Sequence, residues 1–431
     1  QSDSYFTDIQ DNNIIFRDKE HACRAYYIEK STNTIFVNNY IKNANVRDFS
    51  GSGVTFNTAG IGLPLQISDC TFTNCYGKKG GTFSISQLNF SISILRTSFE
   101  NCQRKEKSSK LIVLNYQKEH LNTKVIFDDC NFRFLESKSN QNGALGLTVE
   151  GEKLTSTIQF INTKFEHLCY SGDSSSSALI FSDSVFNGIS QLLLEKCTFS
   201  NVSSTNGNSI FISQFTSEQK CLITNCKFAD CGSKSFVIKS TIGDFALIDS
   251  TVLFSDEKSG FRSSGVSIES TGRSKVENVH FININGESAL TIKQSSDCLY
   301  DVSVCNCLFD SIHGKESKCF DISLNMNSFV FHNNLIKNVH QHKKGNLGRI
   351  NCNTKINQLE IVNLTLSDCH FNDDTFGLLF SKISTLSFVE CKFIKNNVHN
   401  SKELNIVSKF DSLNEIDIEF INCIFDHNKA F

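Results

Sequence analysis

Apolar and polar residues alternate with period two over short stretches of the chain. Around Phe72 one side carries Ile67, Asp69 and Thr71, and the other carries Ser68, Cys70 and Phe72. That is the pattern of a strand with two unlike faces. Pieces of three to six residues of this kind are joined by Asn, Gly or Ser turns. No stretch sustains an amphipathic helix over three turns. The pattern predicts an all-β chain built from short strands.

These strands recur as copies. "DCTFTNC" around Phe72 returns as "RTSFENC" at Phe99, "DDCNFRF" at Phe132, "EKCTFSNV" at Phe199 and "TNCKFADC" at Phe228. It returns again as "NVHFINI" at Phe281, "CNCLFDS" at Phe309, "SDCHFND" at Phe371, "VECKFIK" at Phe393 and "INCIFDH" at Phe425. Aligned on this anchor, the repeats fall at 46 (in "ANVRDF"), 72, 99, 132, 165, 199, 228, 254, 281, 309, 336, 371, 393 and 425, spaced by 22 to 35 residues. A propeller blade needs about 40–50 residues, so these units are too short for one. They suit a coil of three short strands, each paired in parallel with its copies above and below. Stacked coils put like residues on like. The expected fold is a parallel β-helix, a solenoid of about 13–14 coils, forming a rod roughly 60 Å long at ~4.8 Å per rung.

The predicted core ladder consists of Phe72, Phe99, Phe132, Phe165, Phe199, Phe228, Phe281, Phe309, Phe371, Phe393 and Phe425. Beside them stand Cys70, Cys130, Cys197, Cys226, Cys307, Cys369, Cys391 and Cys423, each read as two residues before an anchor; Cys75, Cys102 and Cys231 stand three after one. Cysteine at a fixed phase of a repeat reads as a small buried hydrophobe filling an internal row. The rival reading is a disulfide between neighbouring rows. Rung spacing admits it by Cα separation, but parallel Cβ vectors would strain it. Asn74, Asn101, Asn201 and Asn283, with Asp230 and Asp373 as substitutes, lie two past the anchor, where the chain must bend. Asn and Asp tolerate left-handed backbone angles, and stacked amides bond one another along a column. These residues read as a turn ladder.

C-x-F-x-N, followed by a small-small-apolar strand start ("GGTF" at 80–83, "NGAL" at 142–145, "ESAL" at 287–290), resembles the FxxN and GGA-I repeats of chlamydial polymorphic outer-membrane proteins. Similar pectin-lyase-like repeats occur in surface proteins of some protists. The resemblance covers residues 40–431 and implies a right-handed parallel β-helix. The chain departs from that pattern in its cysteine richness and in often lacking the double glycine.

Residues 1–40 do not fit the repeat and are expected to form a cap of short strands, with the β-helix over 41–431. The sequence stops at "CIFDHNKAF", after an anchor strand. It reads either as a fragment of a longer chain or as a last coil closed by its final residues. Insertions such as "YGKKGG", "QRKEKSSK" and "HQHKKGNLGR" fall at one phase of the repeat and should project along one side. They carry Lys78, Lys79, Arg104, Lys105, Lys107, Lys110, Lys343, Lys344 and Arg349, an edge suited to an anionic ligand.

The whole chain has 431 residues, a net charge of −3, 38 Phe, 18 Cys, no Trp and one Pro. With that charge it is not a generic nucleic-acid binder. No apolar run is long enough for a spanning helix, so any membrane attachment would come through a segment outside this sequence. Three N-x-S/T sequons, at Asn89, Asn201 and Asn363, favour an extracellular or cell-surface setting.

Parallel β-helices often belong to polysaccharide lyases and hydrolases. The Trp-containing motif of the pectate-lyase type cannot exist here. Asp128–Asp129 and Asp373–Asp374 lie in separate regions, and no P-loop, dinucleotide-binding glycine motif or nucleophile elbow appears. His340 and His342, beside Lys343, are weak metal candidates. His280 and His370, flanked by inward residues, should face outward. No catalytic residue, cofactor or metal ligand is assigned. The expected function is a non-catalytic adhesin or spacer that displays its loop edge to glycans, host-surface proteins or copies of itself. The alternatives are a pectin-lyase-type carbohydrate-active enzyme and a filament-forming structural subunit associating end to end.

Overall fold

The computed structural model describes residues 6–15, 25–29, 33–46, 54–57, 65–77, 82–88, 91–102, 112–116, 123–137, 145–150, 156–171, 178–183, 190–214, 219–233, 235–255, 263–295, 300–314, 318–325, 328–341, 346–372, 377–399, 407–409 and 417–430. Among these every regular element is a strand, and every strand pairing whose register is resolved is parallel. Stacked coils make a β-solenoid. The chain divides into two compact units, Gln1–Leu222 with Cys231–Ser233, and Ile223–Asp230 with Lys234–Phe431.

Among the described residues of the first unit, the coils from Tyr26 onward carry a long-row strand, a pre-anchor strand and a three-residue anchor strand. Among the described residues, Asn13–Ile15, Tyr40–Lys42, Thr71–Thr73, Ser98–Glu100, Asn131–Arg133, Lys164–Glu166 and Thr198–Ser200 stack in register as the anchor row. The central residue of each points inward wherever period-two alternation and a closed coil leave it no other side. Ile41, Phe72, Phe99, Phe132, Phe165 and Phe199 are fully buried. Their rings stack in offset parallel pairs: Phe99 on Phe132 at 5.1 Å, Phe132 on Phe165 at 5.3 Å and Phe165 on Phe199 at 4.6 Å, with planes within 9°.

Residues 6–15 and 33–40, within the span expected as a cap, occupy the repeat's own rows. Phe6–Gln10 pairs with Asn33–Val37, and Asn13–Ile15 with Tyr40–Lys42. The anchor before Phe72 is Ile41, not residue 46.

In the second unit the anchor row runs through Phe228, Val252, Phe281, Phe309, Ile336, Leu366, Phe393 and Phe425. Two sequence expectations need correction here. The anchor after Phe228 is Val252 rather than residue 254. The anchor after Ile336 is Leu366 rather than Phe371, which pairs with Val398 in the following short row. Cys369 therefore lies three residues after its anchor, not two before one. Any apolar side chain of adequate size fits the inward slot, so phenylalanine is not what identifies it.

The backbone identifies it instead. Two residues with positive φ bracket most anchors, one three before and one two after. Asp69 and Asn74 flank Phe72, Asn162 and His167 flank Phe165, and Asn363 and Asp368 flank Leu366, with φ between 47° and 57°. Left-handed corners on both sides turn the chain sharply into and out of the short strand. Asn and Asp dominate because they adopt this conformation at least cost. Their side chains join along the column: Asn363 Nδ2 donates to Asn333 Oδ1 at 2.9 Å, and Asn333 Nδ2 to Asn306 Oδ1 at 3.1 Å.

Just inside the first corner sits a short donor side chain, two before the anchor. Cys70 Sγ donates to the Ser68 carbonyl at 3.1 Å, and Cys197 Sγ to Phe160 O on the preceding coil at 3.3 Å. Thr163, Ser250 and Asn334 take the same position and bond carbonyls in the same way. All sixteen described cysteines are free thiols. The cysteine row is thus a row of small buried donors that add a second bond to corner carbonyls, such as Ser68 O and Asp128 O, which already accept a backbone N–H from Asn38 or Arg96.

Candidate functional site

The long row of the second unit positions its most chemically distinct surface. Phe236–Ile242, Ser264–Ser270, Ser288–Gln294, Lys318–Leu324 and the starts of Gly348–Val362 and Leu378–Val389 pair in unbroken register. One set of alternate residues faces the core, through Ile238, Val266, Leu290 and Phe320. The other set faces away from it and forms two adjacent columns. The first column is Lys239, Ser267, Thr291, Asp321 and Arg349, and the second is Thr241, Glu269, Lys293, Ser323, Asn351 and Ser381. Neither column contains an apolar member until Leu379.

Asp321 is the centre of charge. Arg349 grips its carboxylate with two parallel bonds, Nε to Oδ1 at 2.7 Å and Nη2 to Oδ2 at 2.8 Å. Lys318 Nζ reaches Oδ2 at 3.1 Å. Burial alone would raise the Asp321 pKa, but the bonds from Arg349 and Lys318 outweigh it and hold the carboxyl below its ordinary range. Beside this triad Lys239 meets Glu269 at 3.5 Å, and Lys293 is exposed. The strip and its flank therefore present four cations to two carboxylates, interleaved with hydroxyls and an amide. Ser267, Thr291 and Ser381 are buried within it, and Ser288 and Thr291 share a hydrogen bond at 2.6 Å. With those hydroxyls buried, contact with a polar or mildly anionic ligand falls to the accessible members, among them Lys239, Glu269, Lys293, Ser323 and Asn351.

Of the basic edge read from the sequence, only Arg349 is among the described residues. Its guanidinium is committed to Asp321. Lys78, Lys79, Arg104, Lys105, Lys107, Lys110, Lys343 and Lys344 lie outside them. Among the sequons, Asn89 also lies outside. Asn201 is an exposed corner residue at φ 52°, and Asn363 is an exposed corner residue whose amide already donates to Asn333.

The described core-ladder phenylalanines are buried except Phe425, which is 50% exposed on the last described anchor strand and still stacks on Phe393 at 4.9 Å. Cys423 is half-buried there. The side chain of Phe371 is not among those described. Asp128 accepts from Asn162 Nδ2 at 3.4 Å and Asp129 is an exposed corner, so both serve the turns. Asp373 and Asp374 lie outside the described residues. His280 is exposed, and no helix long and apolar enough to cross a membrane is present among the described residues.

The strip around Asp321 was not singled out from the sequence. "KCFDISL" and "SALTIKQ" announce alternation, but nothing in either tells which strand lies beside which. No family model matches the chain, and neither the curated proteins nor the solved structures give a match.

Proposed function

We propose that this chain is the non-catalytic scaffold of an extracellular or cell-surface protein, a β-helix of the pectin-lyase-like, FxxN-repeat kind, that binds glycans. The observation that carries the reading is the pair of polar columns centred on Asp321. An outward face whose members are hydroxyl, amide and charged side chains over consecutive coils is suited to an extended, repeating polar ligand. A rigid stack of coils supports it, because contacts on a preorganised surface lose little entropy on binding. The excess of cations favours acidic sugars.

A glycan array tests this. The expected result is retention of acidic oligosaccharides, weakening steeply with added salt and lost on Lys293→Glu, an exposed substitution. Absence of any glycan bound above background, or binding indifferent to both salt and Lys293, rejects the proposal.

One observation favours a second reading, a polysaccharide lyase or hydrolase: Lys318, Asp321 and Arg349 converge on one outward face. Turnover of a polyuronate that vanishes in Asp321→Asn would support this reading. Binding without turnover supports the scaffold.

A further inference from the structure

His313, His340 and His370 occupy one position on three successive coils of the second unit, each four residues after its anchor, Phe309, Ile336 or Leu366. Register places them directly over one another, and the row continues to Asn397. The rings of His340 and His370 are 4.9 Å apart with planes 5° from parallel; those of His313 and His340 are 5.7 Å apart at 14°. All three side chains are half-buried. Asn397 Nδ2 lies 3.3 Å from His370 Nδ1.

The geometry points to a binding site for a borderline divalent cation such as Zn²⁺, Co²⁺ or Ni²⁺, shared by neighbouring imidazoles of this column, chiefly His340 and His370. Imidazole is the commonest protein ligand for such ions. Metal–nitrogen bonds of about 2.0–2.1 Å at a tetrahedral centre separate two ligand nitrogens by roughly 3.3 Å. The rung spacing holds the two Cβ atoms at ~4.8 Å, so the rings must tilt toward each other to close the difference. In the stacked arrangement they do not surround a common point, and no group of three His, Cys, Asp or Glu does so among the described residues. The site forms by side-chain rotation, with the backbone register fixed.

Asn397 supplies the outer support. A primary amide presents either its nitrogen or its oxygen by a flip. With Oδ1 turned to His370 it accepts from Nδ1–H and leaves the Nε2 lone pair for the cation, as ligand histidines commonly require. Sequence proximity suggests His340 with His342, which lies outside the described residues. The fold gives His340 histidine partners a full coil away on either side.

Co²⁺ distinguishes imidazole from thiolate ligation, which matters in a chain with 18 cysteines. Equilibrium dialysis and absorbance titration of the full, tag-free chain should show one retained Co²⁺ with visible bands but without intense thiolate charge transfer. His340→Asn and His370→Asn should each weaken retention at least tenfold, while His280→Asn should not. The same row already accommodates Asn397, so these variants respect the stack, and circular dichroism checks their fold. A second measurement needs no variant: on the wild-type chain, Co²⁺ should selectively broaden the ring resonances of three of the 11 histidines. Retention equal in wild type and His340→Asn, a thiolate band, or broadening of all histidines alike would overturn the site.

Discussion

The Sγ of Cys130 lies 3.2 Å from the carbonyl oxygen of Ile94 on the preceding coil and 3.5 Å from that of Asp128 in its own chain segment. One coil later, Thr163 makes the same two bonds, to Phe127 O at 3.3 Å and Ile161 O at 2.9 Å. Size and a donor are what the position needs, and sulfur chemistry is incidental. Cys130→Thr should therefore shift stability by less than ~1 kcal/mol. Cys130→Val, which fills the space without a donor, should cost about 0.5–1.5 kcal/mol, the ordinary worth of a lost hydrogen bond, since Asp128 O keeps its bond from Arg96 N. Urea unfolding of both variants decides it; equal losses would mean that packing alone is at work.

Burial pushes the thiols of Cys130, Cys307 and Cys369 up to about 12, and that of Cys70 to about 11. An unfolded thiol ionises near ~8.5. The folded state holds these protons more tightly, so their contribution to stability is complete below that value and is lost as the pH rises toward 11–12. The urea midpoint should fall between pH 7.5 and pH 10, and Cys130→Thr should reduce the fall. Thiol titration in denaturant without reductant should find Cys70, Cys130, Cys197 and Cys226 free.

Phe199 is fully buried and stacks on Phe165, whereas Phe425 is 50% exposed. Phe199→Ala should cost ~3–5 kcal/mol and Leu366→Ala ~2–5 kcal/mol as core deletions. Phe425→Ala should cost markedly less. Chemical unfolding of the three variants ranks them, and a Leu366→Ala loss under ~1 kcal/mol would deny it the anchor place.

Asn333 combines a left-handed backbone, φ 56°, with a donated and an accepted amide bond. Asn333→Val should be destabilising by about 1–3 kcal/mol, since a β-branched residue is strained there. Asn333→Gly, which frees the backbone but breaks the column, should lie between wild type and Val. Thermal unfolding gives the order; Val above Gly would contradict it.

Phenylalanine spacing made the anchor row readable because an aromatic at one phase of many repeats has few explanations besides an inward ladder. The same reasoning misplaced three coils, where Ile41, Val252 and Leu366 hold the slot; at the last two a nearby phenylalanine drew the alignment away. The corner three before the anchor escaped notice although Asn and Asp dominate it, because Arg96, Lys196 and Glu390 interrupt the series and share with it only a positive φ. The polar strip and the histidine column were hidden for another reason. Lys239, Thr291, Asp321 and Arg349 become neighbours only through cross-coil register, which depends on where every turn falls. Periodicity reveals which residues repeat, while adjacency between different residue types requires the pairing itself.

The two left-handed corners also set where the coil tolerates change. From Asp69 to Asn74, and from Asn162 to His167, the count of residues is the same, so one wall of most described coils has a fixed gauge and repeat-length variation falls elsewhere. A residue added inside that bracket would turn its anchor outward and undo the stack, whereas a foreign peptide spliced between residues 77 and 82 would leave the gauge intact. The scaffold is therefore built to be re-lengthened away from that wall, at the connections before and after the long-row strands, whose lengths differ, one residue at 243 against seven at 58–64, and which are the natural places to graft an epitope or a binding loop.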